Sequence, residues 1–471
     1  MAKPGSSKIP PPKGTRDLYP EDVLRQRYIT EAWRRVSIRH GFDEIAGPTF
    51  EMLELYKKKS GEGIVSELFS FRRAGGDDDY ALRPEFTPTL ARMYAEKANS
   101  LPNPCKWFTA GPYFRAEKPQ RGRLREFMQW NCDVMGGEAV QSDTDAFSVL
   151  LELSNELGLS SGDIRLRLNN KQLLISLLDY SGVISSKIDD AIALIDRRSK
   201  LSTAEFREQA SSLKLDITRF DERANFVESY VRGTTADLLN AQEPNAKSHG
   251  TLQGVHVANL AYVHNEAAKR QLTNYVDIDA SIARGLAYYT GTVFELIADG
   301  ERAVAGGGRY DNLIELFGGP PTPAVGFGMG DVVLGLLLED KGLMPEGPEL
   351  ADAVSQKPAS VRPEAFVIAN EAGEPHIEPL LAELRRGKER EGFDGKPWDS
   401  ARYEVEPMHA RRSYKSTKNI GKLLGDARRQ HAKFAVIIES DEAAKVENLD
   451  TREELGVFAL DKVGAVLAER L

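Results

Sequence analysis

The sequence predicts an α+β fold: an antiparallel sheet flanked by helices, with a helical insertion and a small C-terminal α/β domain. Three observations predict it. Residues 125–135 alternate side chains in the two-residue rhythm of a strand. Residues 182–272 lose that rhythm and place Ile188, Ile192, Leu194, Phe206 and Leu213 among Lys, Asp and Glu, without turn-rich loops. Beyond a Pro-rich stretch, strand-like and helix-like segments alternate to the C-terminus. A chain of 471 residues is also too long for one ordinary core.

The elements follow in order. Pro20, Glu21 and Asp22 open a helix, since proline suits the first turn and acids suit the positive end of the dipole. Leu24, Tyr28, Ala32 and Val36 then recur every four residues as one buried stripe, and Gly41 ends the helix. A strand-like segment reaches Pro48. A helix is expected over 84–94, strands over 106–117 and 125–135 around a charged loop, and a helix over 142–157. Strands return at 276–282, 292–298 and 302–305, and a helix at 330–339. The expected domains are 1–181, interrupted by the insertion 182–272 and continued at 273–340. Residues 341–362, with Pro345, Pro348 and Pro358, read as a linker. The last domain is 363–471.

Composition narrows the classes. Hydrophobic residues make up 41% and charged residues 28%, an ordinary globular balance. No run of eighteen apolar residues suggests a membrane span. The first twelve residues are polar and Pro-rich, unlike a secretory signal. Cys105 and Cys132 cannot make a disulfide framework, which fits a reducing, cytoplasmic setting. His249, His256 and His264 lack ligand partners at workable spacing, so no zinc site is expected, and they are expected on helix surfaces. A net charge of −9 means that any RNA would be met by local basic patches. One such patch is Arg411, Arg412, Lys415, Lys418, Lys422, Arg428, Arg429 and Lys433, which face only Asp426 as an acid in the sequence.

Chemistry concentrates in three places. On the strand 125–134, Phe127, Gln129, Asn131 and Asp133 share one face, and Met128, Trp130, Cys132 and Val134 share the core face. The row of two amides and a carboxylate needs water or a ligand; a sheet with one solvated face is the plainer reading. Lys118, Arg121, Arg123 and Arg125 surround Gly122 in a loop suited to phosphate, or to a solvated hairpin tip. Tyr288 and Tyr289 face opposite ways, so at most one lines a given pocket. Gly306, Gly307 and Gly308 imply close backbone approach, but no Lys-Ser/Thr follows as in a phosphate-binding P-loop.

Together these segments resemble class II aminoacyl-tRNA synthetases, and within them the histidine-specific family. Lys13–Asp17 with the helix and the segment 41–48 resembles the first class II motif, a dimer interface. Leu82-Arg83-Pro84-Glu85-Phe86-Thr87 resembles the histidine-binding "LRPE-x-T" segment. Phe114-Arg115-Ala116-Glu117, its loop and the next strand resemble the second motif. Residues 284–291 resemble the "RGLDYYTG" signature, and 306–311 the one after it. The resemblance implies the class II antiparallel sheet, a C-terminal anticodon-binding domain, a homodimer, and ligation of L-histidine to tRNA(His) through a histidyl-adenylate, with AMP and diphosphate released. It implies that Arg115 and Arg284 hold the α-phosphate, with Arg284 beside the substrate carboxylate. Glu85 and Thr87 would take the ammonium with Gln129 assisting; Asp133 and Tyr289, with Tyr288 nearby, would read the imidazole. Glu117 would contact adenine, Arg123 would serve ATP, and Mg2+ would bridge the ATP phosphates.

The sequence departs from the pattern at three positions. Val333 stands where the third motif carries an arginine, Ala287 where the signature has aspartate, and Asp133 where glutamate is usual. Arg309 or a basic residue of the 118–125 loop would then have to serve the ATP tail. The missing arginine also admits a rival, a catalytically inactive regulatory protein on the same scaffold; Arg115, Glu85, Gln129 and Arg284 speak against it. Lys415-Ser416-Thr417-Lys418 superficially suggests a class I enzyme, but no histidine-rich nucleotide loop lies upstream.

Overall fold

The computed structural model of the chain describes residues 9–240, 252–282, 289–298, 303–355, 359–399 and 401–471. The first domain runs α1 (Pro20–Arg39), β1 (Asp43–Glu44), β2 (Phe50–Met52), α2 (Leu53–Ser60), β3 (Ser70–Arg72), β4 (Asp79–Leu82), α3 (Thr87–Lys97), β5 (Cys105–Phe114), β6 (Glu126–Met135), α4 (Ala139–Glu156), β7 (Ile164–Asn170) and α5 (Lys171–Tyr180). The insertion follows as α6 (Ile188–Asp196), α7 (Thr203–Ser212), α8 (Ile217–Asn240) and α9 (Leu252–Lys269). The sheet resumes with β8 (Val276–Ile278), β9 (Thr292–Ala298), β10 (Ala303–Arg309), α10 (Leu313–Leu316), β11 (Ala324–Gly330) and α11 (Asp331–Asp340).

These strands form one eight-stranded sheet in the order β1-β5-β6-β11-β10-β9-β7-β8. Its six inner strands are antiparallel, and a parallel strand closes each edge. The expected antiparallel sheet is therefore present. Its core face carries Trp130, Cys132 and Val134, packed under α1, α4 and α11. Tyr28, Ala32 and Val36 of α1 are buried there, as their spacing predicts, and Trp33 stacks on Trp130 at 6.0 Å. Gly41 ends α1 with φ +77°, a conformation that few other residues adopt cheaply. The opposite face is covered at one end by α3 and α10, whose Leu90, Tyr94 and Ile314 pack around Met135. At the other end the described residues leave the face open.

The insertion is helical as expected, yet it does not have a core of its own. Leu260, Ala261, Val263 and Ala267 of α9 join the core under the sheet, with α9 lying on α4 and β7. His264 is buried there, not on a helix surface as expected, because it lies on the same face as Leu260 and Ala267. His249 lies outside the described residues. The expected linker differs too: it contains α12 (Gly347–Val354), whose Leu350 and Ala353 are fully buried against α1. Proline at its first turn was compatible with a helix start, and the spacing of those two apolar residues puts them on one face. The strand expected over 302–305 runs on through the glycines: β10 contains Gly306 to Gly308.

The C-terminal domain runs β12 (Ala365–Ala369), α13 (Ile377–Arg386), β13 (Lys388–Glu389), β14 (Tyr403–Val405), β15 (Ala410–Arg412), α14 (Ile420–Arg429), β16 (Phe434–Ile438), β17 (Ala443–Asn448), β18 (Glu453–Ala459) and α15 (Val463–Ala468). Its sheet order is β15-β12-β16-β17-β18, parallel across the first three strands. A buried ionic node docks it. Asp145 of α4 pairs with Lys106 of β5 at 3.0 Å and accepts a hydrogen bond from Tyr414 at 2.7 Å. Arg270, at the end of the insertion, bridges Asp145 at 2.8 Å and Glu378 of α13 at 3.0 Å. Burial lowers the Lys106 ammonium to about 8, while Asp145 pulls the other way. No helix among the described residues is long and apolar enough to cross a membrane.

Candidate functional site

The open end of the polar face holds two adjoining chambers, of about 320 and 340 Å³, that share Arg115, Gln129, Tyr289, Gly306 and Gly328 as their common wall. The β6 register builds them. Gln129 and Asn131 line the second chamber from one strand face, two residues apart. Opposite them β11 offers only glycine: Gly326 pairs with Asp133, Gly328 with Asn131 and Gly330 with Gln129. A Cβ on Gly326 would lie 2.0 Å from Asp133 Oδ1, and one on Gly328 would lie 2.2 Å from Gln129 Nε2. Gly307 of β10 is held as tightly, with the Gly326 carbonyl 2.5 Å from where its Cβ would be. The glycines therefore make room for a row of polar side chains between close strands.

Three of those polar atoms are buried without a hydrogen-bond partner among the described residues: Gln129 Oε1, Asn131 Oδ1 and Asp133 Oδ2. Leaving such groups unpaired is costly, and a row of three on one face points to a ligand that pairs them. Asp133 sits behind the chamber wall; the Tyr310 hydroxyl donates to its Oδ1. Burial raises its carboxyl to about 7, against the lowering effects of Tyr310 and the nearby Lys59 ammonium.

The second chamber's acid is Glu85, on the turn that leads into α3, with Thr87 as the first helical residue. Arg83 anchors this turn by donating to Pro112 O at 2.8 Å and Gly47 O at 3.2 Å, with Tyr113's ring 4.6 Å away. Lys59 of α2 reaches Glu85 Oε2 at 2.5 Å. Arg115 stands in the shared wall, fixed by its donation to Pro84 O at 3.1 Å and by Phe127's ring at 5.1 Å. In the first chamber, Glu117 accepts from Arg123 Nη1 at 3.1 Å, and a Cβ on Gly122 would lie 3.1 Å from Val333 Cγ2. Asp331, the first residue of α11, accepts from Arg16 Nη2 and from Met128 N, both at 3.0 Å, which ties the N-terminal segment to β6.

The structure thus brings together Glu85, Thr87, Arg115, Glu117, Arg123, Gln129 and Tyr289, with Asp133 one layer behind. Arg284 and Tyr288 lie outside the described residues. Arg309 does not serve the first chamber: it is buried on Asp143 at 2.6 Å and Asp311 at 3.0 Å. Sequence reasoning missed Lys59 and Tyr310 as site residues, and it placed Asn131 in the polar row beside Gln129 without giving it a role. Lys59 carried no signal within Lys57-Lys58-Lys59. The C-terminal basic patch is corrected. Arg411 pairs with Asp43 at 2.7 Å, Arg428 with Glu447 at 2.9 Å, Lys418 with Glu374 and Arg412 with Glu378. Acids distant in sequence fold against it, so the local excess of charge is much smaller than the sequence suggests.

Comparisons with known proteins point to one family. A family described as "Histidyl-tRNA synthetase" matches residues 14–330. A histidine–tRNA ligase of Opitutus terrae is 36% identical over 342 residues, 72% of this chain and 77% of that one. One of Haloarcula marismortui is 36% identical over 368 residues, 77% and 82% of the two chains. The crystal structure of histidyl-tRNA synthetase from Nostoc sp. PCC 7120 covers 98% of this chain and 99% of its own, with a TM-score of 0.58 at 22% identity, a likeness of fold.

Proposed function

Because the chain belongs to the histidyl-tRNA synthetase family, we propose that it joins L-histidine to tRNA(His) at the expense of ATP, through a histidyl-adenylate. The observation that carries this reading is the position of Arg115: it stands in the wall common to both chambers, where a carboxylate bound in one would meet an α-phosphate bound in the other. A histidine carboxylate oxygen attacks the ATP α-phosphorus; the bond to the bridging oxygen breaks and diphosphate leaves. Charge that grows on the phosphoryl oxygens is then met by a fixed guanidinium in a partly dry site. A hydroxyl at the tRNA 3′ end next attacks the histidyl carbonyl and AMP leaves.

The second chamber takes the amino acid. Glu85 and Thr87 bind the ammonium, with the orphaned Gln129 Oε1 assisting. Tyr310, backed by Asp133, and Tyr289 read the imidazole, with Tyr288 as its neighbour in sequence. Glu117 and Arg123 serve the nucleotide, and the family resemblance assigns Arg284 to the α-phosphate. No cluster of three or more His, Cys, Asp or Glu among the described residues is placed to hold a metal. Magnesium would come with the ATP phosphates and offset their charge, with Glu117 and Glu295 the carboxylates lining that chamber.

Val333 in place of the third-motif arginine is the feature that favours an inactive regulatory protein. The relatives named as ligases and the intact amino-acid chamber weigh against it. The exposed aromatic face of the sheet β2-β4-β3, where Phe50, Phe71 and Tyr80 meet edge-on or tilted at 5.6–5.9 Å, supports a homodimer. A cytoplasmic setting fits the two free cysteines. Histidine-dependent ATP–pyrophosphate exchange followed by charging of tRNA(His) tests the function; binding of histidine without exchange would leave the regulatory reading standing.

A further inference from the structure

The second chamber contains a cation that the proposed chemistry does not use. Lys59 lies in the last turn of α2 with its side chain only 9% exposed, and its Nζ lies 2.5 Å from Glu85 Oε2. Two acids, Glu85 and Asp133, stand on the amino-acid side of the site, and Lys59 lies near both. An alkylammonium and an amino acid's α-ammonium carry the same charge and the same three N–H donors. Glu85 in this structure is therefore already engaged by the kind of group it would receive from a substrate.

We propose that Lys59 is a resident stand-in for the substrate's α-ammonium: it neutralises Glu85 whenever no amino acid is bound, and histidine must exchange with it to bind. The inference rests on the reading of this chamber as the histidine site. Binding energy that opens the Lys59–Glu85 pair is subtracted from affinity, just as any equilibrium that leaves only part of the sites competent weakens apparent binding. Only a ligand with its own ammonium replaces what the pair loses, so Lys59 selects for an α-amino group. It also favours release, because Lys59 returns to Glu85 as the amino acid leaves.

The test is Lys59→Met, which keeps most of the stem and removes the charge. With the full-length enzyme in pyrophosphate exchange, the histidine KM should fall about tenfold, as expected if the pair is closed in roughly nine sites of ten. The ATP KM and the inhibition constant of 3-(imidazol-4-yl)propionate, which lacks the ammonium, should each move less than about twofold. A purely structural lysine would shift all three together. Lys59→Gln, still able to hydrogen-bond Glu85, should move the histidine KM the same way by less, and it replaces Lys59→Met if that variant does not fold. Lys59→Arg should not lower it. A histidine KM that rises or stays constant in both neutral variants overturns the proposal. Glu85→Gln is the separate control: if it leaves the histidine KM unchanged, the chamber is not the histidine site.

Discussion

Asp133→Asn isolates one buried carboxyl whose electrostatics can be worked through. Burial raises Asp133 from an ordinary 3.8 to about 7. Between those values the native chain keeps a proton that the unfolded chain has released. Stability must then fall as pH rises through the window, by roughly 1.4 kcal/mol per pH unit and about 4 kcal/mol in all. Asparagine cannot ionise, and it still offers an oxygen to the Tyr310 hydroxyl. Its amide would occupy the position of Oδ2, which has no partner, at a cost of about 1–3 kcal/mol at every pH. The variant should therefore be less stable than the parent at pH 4.5 and more stable by about 1–3 kcal/mol at pH 8, the curves crossing between. Urea unfolding of both proteins at pH 4.5, 6 and 8 reads this directly, since every other titrating group cancels in the difference. A difference that is constant with pH would refute the reasoning. The histidine KM should rise in the variant and the ATP KM should not, because Asp133 acts through Tyr310 on one chamber only.

Gly326→Ala should abolish measurable histidine activation and lower the melting temperature, because its Cβ meets the Cys132 carbonyl at 2.8 Å as well as Asp133; near-parental exchange would show that the strands separate easily. Phe71→Asp should turn the dimer into a monomer by light scattering at micromolar concentration, since it puts a charge into the exposed aromatic patch; an unchanged mass would place the interface elsewhere. Removal of residues 363–471 should leave histidine activation in place and depress tRNA charging steeply. The truncated protein should also melt at a lower temperature, because Arg270 and Asp145 lose Glu378 and Tyr414; loss of exchange in a folded truncation would contradict the domain assignment.

What could be read from the sequence follows the range of the interactions involved. The α1 stripe and the two faces of β6 are set by residues two to four apart, so periodicity found them. Arg115 and Glu85 could be placed only by likeness to a known pattern, because their convergence depends on the pairing of β5 with β6 and on Arg83 anchoring the turn before α3. The helix α12 is not legible in the sequence, because Leu350 and Ala353 find their core on α1, some three hundred positions earlier. The basic patch failed for the same reason: Asp43, Glu374, Glu378 and Glu447 reach it through space. Lys59 could not be distinguished from its neighbours because nothing local separates the inward lysine from Lys57 and Lys58.

The strand order of the large sheet also bears on how the chain is made. β6 and β11 are neighbours at its centre, but the whole insertion lies between them in sequence. During synthesis from the N-terminus, β5 and β6 emerge together and can pair at once. The other edge of β6, with its row of backbone N–H and C=O groups, then remains unpaired until β11 has been added almost two hundred residues later. At ordinary translation speeds that interval is on the order of ten seconds or more. A nascent chain thus displays an unpaired strand with Trp130 and Cys132 on one side for that time, and chaperone occupancy should be greatest while the ribosome is reading the insertion.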